Sequence, residues 1–441
     1  MSTPTLLAPD SAEHAAAIAP FCTTLTPTPD AVIEARSATD VVDAVRWAAA
    51  GGRRITVQAT GHQLVTDLAG SVTISMRGLD GVRIDPVART AVVGGGARWS
   101  DVIAAAAPHG LAAPCGSSSQ VGVVGFTLGG GHGPLSRLLG VASDHVRRLR
   151  VVTADGVERE VDAEHEPELF TAMRGGKAGF GVVTELEIGL VPLAALYGGG
   201  IFFPGEHSPA LLHAWREWAP TLPDAASTSI ALLRLPPDPA LPPPLRGAFV
   251  AHLRFTSVGD VAGGERLLAP MRAVADPLAD MVAEMPFAAI DSVHSDPTTP
   301  MAVWDESATL SALPAEAVDA LLAVAGPGVE TPLIMAELRL LGGAIVRRPA
   351  VPDAVAGRDA AYSLYALAPM APPVAGIAPM AARAVVDAVR AWTSGLLPNF
   401  AGIGGGGRLA GCWDDATFAR LLAVRDRYDP DGVFDAGLRL A

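Results

Sequence analysis

A glycine-rich segment at residues 114–140 constrains the fold of this chain more than any other feature. It reads PCGSSSQVGVVGFTLGGGHGPLSRLLG, so glycine and serine alternate with valine, leucine and phenylalanine. Glycine inside a regular element costs roughly 0.5–1 kcal/mol, so this many glycines indicate positive backbone torsions or close approach of the backbone to another group. The interleaved apolar residues favour buried backbone that wraps a ligand over the alternative, a merely flexible loop.

Short helices and strands flank this segment on both sides. Residues 37–52 predict a helix that Ser37 caps and two glycines end, and RITVQAT and SVTISM predict strands. Hairpins are predicted at 81–96 and at 147–161, where Asp155 and Gly156 form the turn. WSDVIAAAAPHG and PELFTAMRGG predict two further helices. This mixture indicates the α+β class.

The pattern changes at about residue 194 and keeps its new form to residue 395. Long strands are expected in TSIALLRL, GAFVAHLRF, PLIMAELRLLGGAIV and DAAYSLYALAP. Helices are expected in ALLHAWREWA, GGERLLAPMRAVA and AEAVDALLAVA. The alternation predicts a separate lobe in which helices cover one face of an antiparallel sheet. A last helix is predicted in DDATFARLLAVRDRY.

Composition excludes several classes of function. The net charge is -14, which leaves no basic surface for nucleic acid. The three cysteines are far apart and the histidines do not fall at metal-ligand spacings, so we expect no metal. Lys177 is the sole lysine, which argues against Schiff-base chemistry. We find no leader pattern and no stretch of eighteen apolar residues, so we expect a cytoplasmic protein without a membrane partner.

Several loops are rich in backbone N–H donors. Such loops bind anions without lysine, and several of them together suit a long ligand that carries a pyrophosphate. The sequence therefore predicts a dinucleotide cofactor. The loops lie at residues 58–63, 94–96, 116–118, 129–133 and 175–181.

The order of these motifs resembles that of the FAD-linked oxidases of the vanillyl-alcohol oxidase superfamily, with its PCMH-type FAD-binding domain. The berberine-bridge-enzyme-like branch, which includes bacterial members that tailor natural products, is the most similar. The shared motifs are Gly61-His62, VGGGARWSDV, the glycine-rich segment, ELFTAMRGGKAGFGVVTELEI, ELRLLGGA, PNF and RYDPDGVF. The resemblance implies a two-part FAD-binding domain at 25–193 and 396–441, with an inserted substrate lobe at 194–395.

The resemblance also implies a covalent bond between His62 and the flavin. Bicovalent relatives carry a cysteine where this chain has Ser118, and Cys115 lies three residues too early, so a single bond is expected. Phe126 and Phe400 stand where many relatives carry a histidine and a tyrosine. The implied FAD contacts are Thr60, Gly61, His62, Gln63, Gly116, Ser117, Ser118, Val121, Gly122, Gly125, Gly130, Gly131, Gly181, Val183 and Asn399.

The activity that the resemblance implies is that of an oxidase. Hydride would pass from a small organic or natural-product substrate to FAD, and dioxygen would reoxidise the flavin to give hydrogen peroxide. In similar enzymes a small residue at the position of Val121 goes with oxygen access. The alternatives are a flavin monooxygenase or oxidative cyclase on the same scaffold, and a non-catalytic protein that binds flavin or a metabolite.

Candidate catalytic groups lie on two predicted lobe strands. Alternation places Met335, Glu337 and Arg339 on one face of their strand, and Ser363 with Tyr365 on one face of the next. We expect Tyr365 or Glu337 to act as the base, with a pKa moved toward neutrality by Arg339 or by an apolar pocket. The alternative is that Glu337 and Arg339 form an ordinary solvated ion pair.

Overall fold

The computed structural model describes residues 4–405, 409–434 and 438–440. Its first sheet has three parallel strands in the order β1-β3-β2, and helix α2 packs against it. The elements of this part are α1 Ala12–Ile18, β1 Ala31–Glu34, α2 Ala38–Ala50, β2 Arg54–Gln58 and β3 Ser71–Ser75. Ser37 caps α2 by accepting a hydrogen bond from the N–H of Asp40, which confirms the predicted start of this helix.

The second sheet is antiparallel and has five strands in the order β4-β5-β9-β7-β8. Both predicted hairpins are confirmed, because β4 pairs with β5 and β7 pairs with β8. The elements are β4 Val82–Asp85, β5 Thr90–Gly94, α3 Trp99–Ala106, β6 Leu111–Ala112, α4 Val123–Leu128, α5 Ser136–Leu139, β7 Val146–Val152, β8 Glu158–Val161, α6 Pro167–Met173, β9 Val182–Gly189 and β10 Val191–Pro192.

The glycine-rich segment, which we expected to be buried backbone that wraps a ligand, also contains two short helices that were not predicted, α4 and α5. Val123, Val124 and Phe126 bury one side of α4 in the core, whereas Gly125 leaves the other side exposed. The helix therefore presents bare backbone on the side that faces away from the core.

The lobe contains a third, nine-stranded sheet, in the order β14-β11-β13-β12-β17-β18-β16-β19 with β15 also paired to β11. Its elements, together with the last helix of the chain, are β11 Ala195–Pro204, α7 Ser208–Trp218, β12 Ala226–Arg234, β13 Phe249–Ser257, α8 Val261–Arg272, β14 Ala279–Asp280, β15 Ala283–Pro286, β16 Val303–Leu310, α9 Ala315–Ala325, β17 Met335–Leu340, β18 Tyr362–Pro369, α10 Ala378–Ala388, β19 Thr393–Gly395 and α11 Asp415–Tyr428. The sequence analysis missed β11, β14, β15, β16, β19 and α10. It also made β17 too long, because Gly342 and Gly343 take positive φ angles of 83° and 59° and end the strand.

The two faces of this sheet differ in polarity. Ile230, Leu253, Leu338 and Leu364 point to the helix side and pack with α7 and α9 in a common apolar core. On the opposite face, paired positions of β13, β12, β17 and β18 form a row of polar residues, and a second row lies beside it. The first row is Arg254, Ser229, Arg339 and Ser363, and the second is His252, Ala231, Glu337 and Tyr365. We call this surface the polar face.

The segment after residue 395 contacts the first two sheets. The N–H of Ile55 donates to the carbonyl of Val433 at 2.6 Å, and the N–H of Ala154 donates to the carbonyl of Tyr428 at 3.3 Å. The α+β class and the antiparallel sheets are confirmed, whereas the boundaries 25–193, 194–395 and 396–441 stay predictions. None of the helices in the described residues has the length and apolar character needed to cross a bilayer.

Candidate flavin and substrate site

His62 lies in the loop that follows β2, directly after a glycine that the local geometry requires. Gly61 has a φ of 65°, and a Cβ at this position would lie 2.7 Å from the Cα of Pro20. The imidazole of His62 stacks on the Phe21 ring, with 3.9 Å between centroids and 7° between planes. Its Nδ1 is buried and has no hydrogen-bond partner among the described residues.

Burial, reinforced by the positive charge of Arg98, lowers the pKa of His62 to about 4. The imidazole is therefore neutral at pH 7, and one of its two nitrogens carries a free lone pair. A neutral imidazole is the form that can act as a nucleophile.

The surroundings of His62 fit a large polar ligand. Three other buried polar atoms near this loop lack a partner among the described residues: Gln58 Oε1, Thr66 Oγ1 and Arg77 Nε. A Cβ on Gly122 would lie 3.7 Å from the Thr60 side chain, so the His62 loop adjoins the start of α4 with its exposed Gly125. Unpaired polar groups beside bare backbone form a suitable cradle for a dinucleotide.

The other residues that we expected to contact FAD lie around the Phe126 ring, before α4 and at the start of β9. Gly116 and Gly131 pack against the Phe126 ring, and a Cβ on either would approach it to less than 3.0 Å. Gly181 and Val183 lie at the start of β9, where Val183 is buried in the core. Ser117, Ser118 and Val121 are half-buried before α4, and Gly130 packs beside Val355 and His132.

Residues 398–400 connect the His62 loop to the glycine-rich segment. The Nε2 of Gln63 donates to the carbonyl of Pro398 at 2.9 Å, and the Nδ2 of Asn399 donates to the carbonyl of Phe126 at 2.8 Å. Sequence reasoning gave no role to Lys177, whose Nζ donates to Asn399 Oδ1 at 2.7 Å. Burial lowers the pKa of Lys177 to about 7.

Phe400 connects the same segment to the lobe. Its ring meets the Tyr365 ring edge to face at 5.4 Å, and the guanidinium of Arg339 lies 5.5 Å from its centroid. The His62 loop and the polar face of the lobe sheet are therefore linked through three consecutive residues. The structure thus brings the predicted flavin loop and the predicted catalytic strands into one region.

Glu337 and Arg339 do not form the solvated pair that we considered as an alternative. Glu337 is 0% exposed, and its carboxylate contacts Arg254 at 2.5 Å and Arg339 at 2.9 Å. Burial alone would raise the pKa of Glu337, but the charges of Arg339 and Arg254 lower it well below 4.5. The expectation of a pKa near neutrality is wrong for this residue, because its pocket is cationic rather than apolar.

The same expectation is wrong for Tyr365. Burial and the negative charge of Asp305 raise the pKa of Tyr365 well above 10, and Arg339 opposes this shift only weakly. The Tyr365 hydroxyl donates to Asp305 Oδ2 at 3.2 Å, and burial raises the pKa of Asp305 as well. Asp305 is therefore a better proton acceptor than an exposed aspartate, and the two residues can share and move a proton.

Sequence reasoning missed Asp305, Arg254, His294 and Asp296. The alternation of His252 and Arg254 along β13 was a usable signal, because it places two polar residues on one face of an apolar strand. Asp296 gave no such signal. The negative charge of Asp296 partly opposes the lowering of the pKa of His62 and of His294, and it contributes to the raised pKa of Arg339. Asp296 therefore lies within electrostatic reach of both the His62 loop and the polar face.

Comparison with known proteins agrees with this geometry. Residues 29–162, which include His62, match the FAD binding domain family. The FAD-dependent monooxygenase FUP4 of Fusarium proliferatum is 33% identical over 202 residues, which are 45% of this chain and 36% of that protein. The aligned region spans less than half the length of the curated relatives that it matches.

Solved structures match along nearly the whole chain. The 6-hydroxy-D-nicotine oxidase from Arthrobacter nicotinovorans gives a TM-score of 0.82 at 25% identity and covers 98% of this chain and 97% of that one. The glucooligosaccharide oxidase from Acremonium strictum gives 0.84 at 19% identity over 98% and 96%, which shows the fold alone. The chain thus contains an FAD-binding domain and shares the fold of the FAD-linked oxidases of the vanillyl-alcohol oxidase superfamily.

Proposed function

We propose that this chain is an FAD-dependent oxidase that holds its flavin covalently through His62. The observation that carries the proposal is the buried and unpartnered Nδ1 of a neutral His62 inside the matched FAD-binding region. An imidazole with a free lone pair can form a bond to an electrophilic flavin carbon. The FAD of the glucooligosaccharide oxidase is described as 6-S-cysteinyl, 8α-N1-histidyl, so a histidyl linkage has a precedent on this fold.

A single linkage is proposed because no thiolate is available at the second position. Ser118 stands where bicovalent relatives carry a cysteine, and a serine hydroxyl does not ionise at neutral pH. Burial raises the pKa of the nearby Cys115 to about 12, so this thiol stays protonated. A protonated thiol is a poor nucleophile.

The chemistry that FAD supplies when it is bound is the acceptance of a hydride from a substrate carbon. The chain must supply the site for the proton that leaves the substrate at the same time. Tyr365 can take this proton at Oη while its own proton passes to Asp305 Oδ2, so no free tyrosinate is needed. Glu337 stays ionised and holds Arg254 and Arg339 in place rather than acting as the base.

Acid precipitation of the purified yellow protein tests the tether. We expect the flavin to stay with the wild-type pellet and to appear in the supernatant for His62→Ala. His213→Ala is the matched control, because His213 lies on α7 and pairs with Asp319 at 2.9 Å, in the apolar-packed helices of the lobe. A covalent flavin in His62→Ala would show that the attachment lies elsewhere, and flavin on Cys115 in a peptide map would contradict the single linkage.

The name of FUP4 favours a monooxygenase as the second candidate. An oxidase converts dioxygen to hydrogen peroxide in a one-to-one ratio with substrate, whereas a monooxygenase transfers one oxygen atom to the product. Turnover under isotope-labelled dioxygen separates the two, since the label enters the product only in the second case. A protein that only sequesters flavin or a metabolite would give neither product.

A further inference from the structure

A small cavity lies between the glycine-rich segment and the polar face of the lobe sheet. Its volume is about 40 Å³, and its walls include His132, Ser229, Arg254, His294 and Arg339. A water molecule needs roughly 10–15 Å³ of such space, so the cavity has room for about three water-sized groups. This is about the size of one carboxylate group, and far smaller than a whole substrate.

Four polar atoms on the walls of this cavity have no hydrogen-bond partner among the described residues: His132 Nε2, Ser229 Oγ, His294 Nδ1 and Arg339 Nε. His132, Ser229 and His294 are 6%, 3% and 6% exposed, so solvent reaches them poorly. Arg339 Nε can only donate, and the other three atoms can donate in one tautomer or rotamer. Leaving a buried donor unpaired costs about 1–3 kcal/mol, so the cavity favours a ligand that accepts several hydrogen bonds.

The charge around the cavity is unbalanced. Arg254 and Arg339 share one carboxylate, that of Glu337. Arg137 also lines the cavity, and its described hydrogen bonds go to backbone carbonyls, including those of Ala226 at 2.8 Å and Leu222 at 3.0 Å. Three guanidinium groups therefore adjoin the cavity, and among the described residues the carboxylate of Glu337 is the one that pairs directly with any of them.

The pKa values of His294 and His132, the two histidines on the walls of the cavity, agree with this excess of positive charge. Burial and then the charges of Arg254 and Arg339 lower the pKa of His294 to about 3, with the opposing effect of Asp296 and Glu337 smaller. Burial, reinforced by the charge of Arg358, likewise lowers the pKa of His132 to about 4. Both histidines are thus neutral at pH 7 and add no positive charge of their own.

We propose that this cavity binds a carboxylate group of the substrate, so that the proposed oxidase acts on a small organic acid. The inference rests on the proposed function, because it assigns the cavity to the substrate of that reaction. Tyr365 lies diagonally across the sheet from Arg339, and such neighbours are about 7–8 Å apart.

Titration calorimetry on the protein as purified tests this assignment with benzoate as the probe. Benzamide has the same shape without the charge, and benzylamine carries the opposite charge. We expect wild-type protein to bind benzoate and to show no measurable affinity for the other two. Arg339→Gln should weaken benzoate binding at least tenfold, and Ser229→Ala, which removes one hydrogen bond, should weaken it about two- to tenfold.

Two further arms make the test decisive. Arg347→Gln is the matched control, because Arg347 pairs with Asp224 at the surface with 66% of its side chain exposed, and it should bind benzoate as the wild type does. Equal binding of benzoate and benzamide, or equal benzoate affinity in wild type and Arg339→Gln, would overturn the assignment. Chloride or phosphate binding as tightly as benzoate would also overturn it, since the cavity would then be a site for inorganic ions.

The failure of this inference can be distinguished from the failure of the proposed function. Calorimetry measures binding without turnover, and acid precipitation measures the tether without substrate. Charge-selective benzoate binding by a protein without covalent flavin would refute the tether and leave the carboxylate site intact. A covalently flavinylated protein that does not bind benzoate would support the covalent bond to His62 and refute the organic-acid assignment.

Discussion

Replacing Glu337 with glutamine removes the carboxylate that contacts Arg254 and Arg339, whose side chains are 3% and 16% exposed. The wild-type side chain is 0% exposed and holds Arg254 at 2.5 Å and Arg339 at 2.9 Å. Glutamine has nearly the same shape, but its single carbonyl oxygen carries no charge, and its NH₂ group can only donate. At least one arginine would then face a donor instead of an acceptor.

The cost follows from the burial of this cluster. Removing one partner of a buried ion pair leaves an uncompensated charge and typically costs about 3–5 kcal/mol. Asp224→Asn is a matched control, because Asp224 pairs with Arg347 at 2.7 Å while both side chains are largely exposed. A pair of this kind contributes about 0–1 kcal/mol, so the two variants should differ several-fold in their effect on the free energy of unfolding.

Urea denaturation at pH 7, followed by tryptophan fluorescence, measures this difference. With an m value of about 3 kcal/mol per M, Glu337→Gln should lower the midpoint by about 1 M or more, and Asp224→Asn by a few tenths. Equal shifts in the two variants would refute the reasoning, because they would mean that the buried carboxylate stabilises the fold no more than a surface one.

The pH dependence gives a second check on the same residue. The pKa of Glu337 in the folded protein lies well below its ordinary value of 4.5, so the stability that its charge provides is present above pH 4.5. This contribution is lost as the pH falls below 4.5 toward the folded-state pKa, because the wild-type side chain then becomes as neutral as glutamine. The gap between wild type and variant should therefore narrow below pH 4.5, and a gap that stays constant would contradict the ionised state of Glu337.

Two other expectations concern Tyr365 and Lys177. Tyr365→Phe should slow anaerobic flavin reduction about a hundredfold, and Tyr197→Phe, which removes a hydroxyl bonded to Arg272 at 3.0 Å, should not; stopped-flow absorbance distinguishes them. The pKa of Lys177 falls from 10.5 to about 7 on folding, so its unfolded form binds more protons between these values and stability rises with pH. Lys177→Met should flatten this rise in urea midpoints between pH 7 and pH 10.5, and an unchanged slope would exclude a neutral Lys177.

Local signals in the sequence were sufficient for several elements of the first half, although not for α1, β1, α4 and α5. The helix after Ser37 and the hairpin at Asp155-Gly156 depend on a cap and a turn a few residues long, and both are confirmed. The lobe was harder to predict, because two of its long strands, β11 and β16, lack the usual pattern, and β14, β15 and β19 are only two to four residues long. In β16, Asp305, Glu306 and Ser307 interrupt the apolar residues, since both faces of this strand are partly polar.

The other long strand that was missed, β11, contains three consecutive glycines, which ordinarily argue against a strand interior. The reason for one of them lies on the neighbouring strand. A Cβ on Gly200 would lie 2.1 Å from His252 Nε2, so the glycine makes room for a buried imidazole. No local pattern could show this, because the register that joins the two residues depends on pairing across 52 positions of sequence.

The candidate site also depends on contacts between residues that are distant in sequence, which local patterns do not reveal. Alternation along β17 correctly placed Glu337 and Arg339 on one face, but it could not say whether that face meets water or protein. The answer came from Arg254 on β13 and His294 after β15, which close over the pair from distant parts of the chain. These partners change the direction in which the pKa of Glu337 shifts. A carboxylate among arginines stays ionised, whereas the same carboxylate in an apolar pocket would take up a proton.

The ionised state of Glu337 means that charge balance and proton transfer, which the sequence analysis assigned to the same residues, belong to different side chains. The ionised Glu337 orders the cationic half of the polar face, and the protonated Tyr365, bonded to Asp305, forms the half that can move a proton. Because the two residues are directly opposite each other in the register of β17 and β18, one small molecule can reach both halves at once. A sheet face with the proposed anion-binding half beside the proposed proton-accepting half suits the oxidation of a substrate that is held by its charge at one end and reacts at the other.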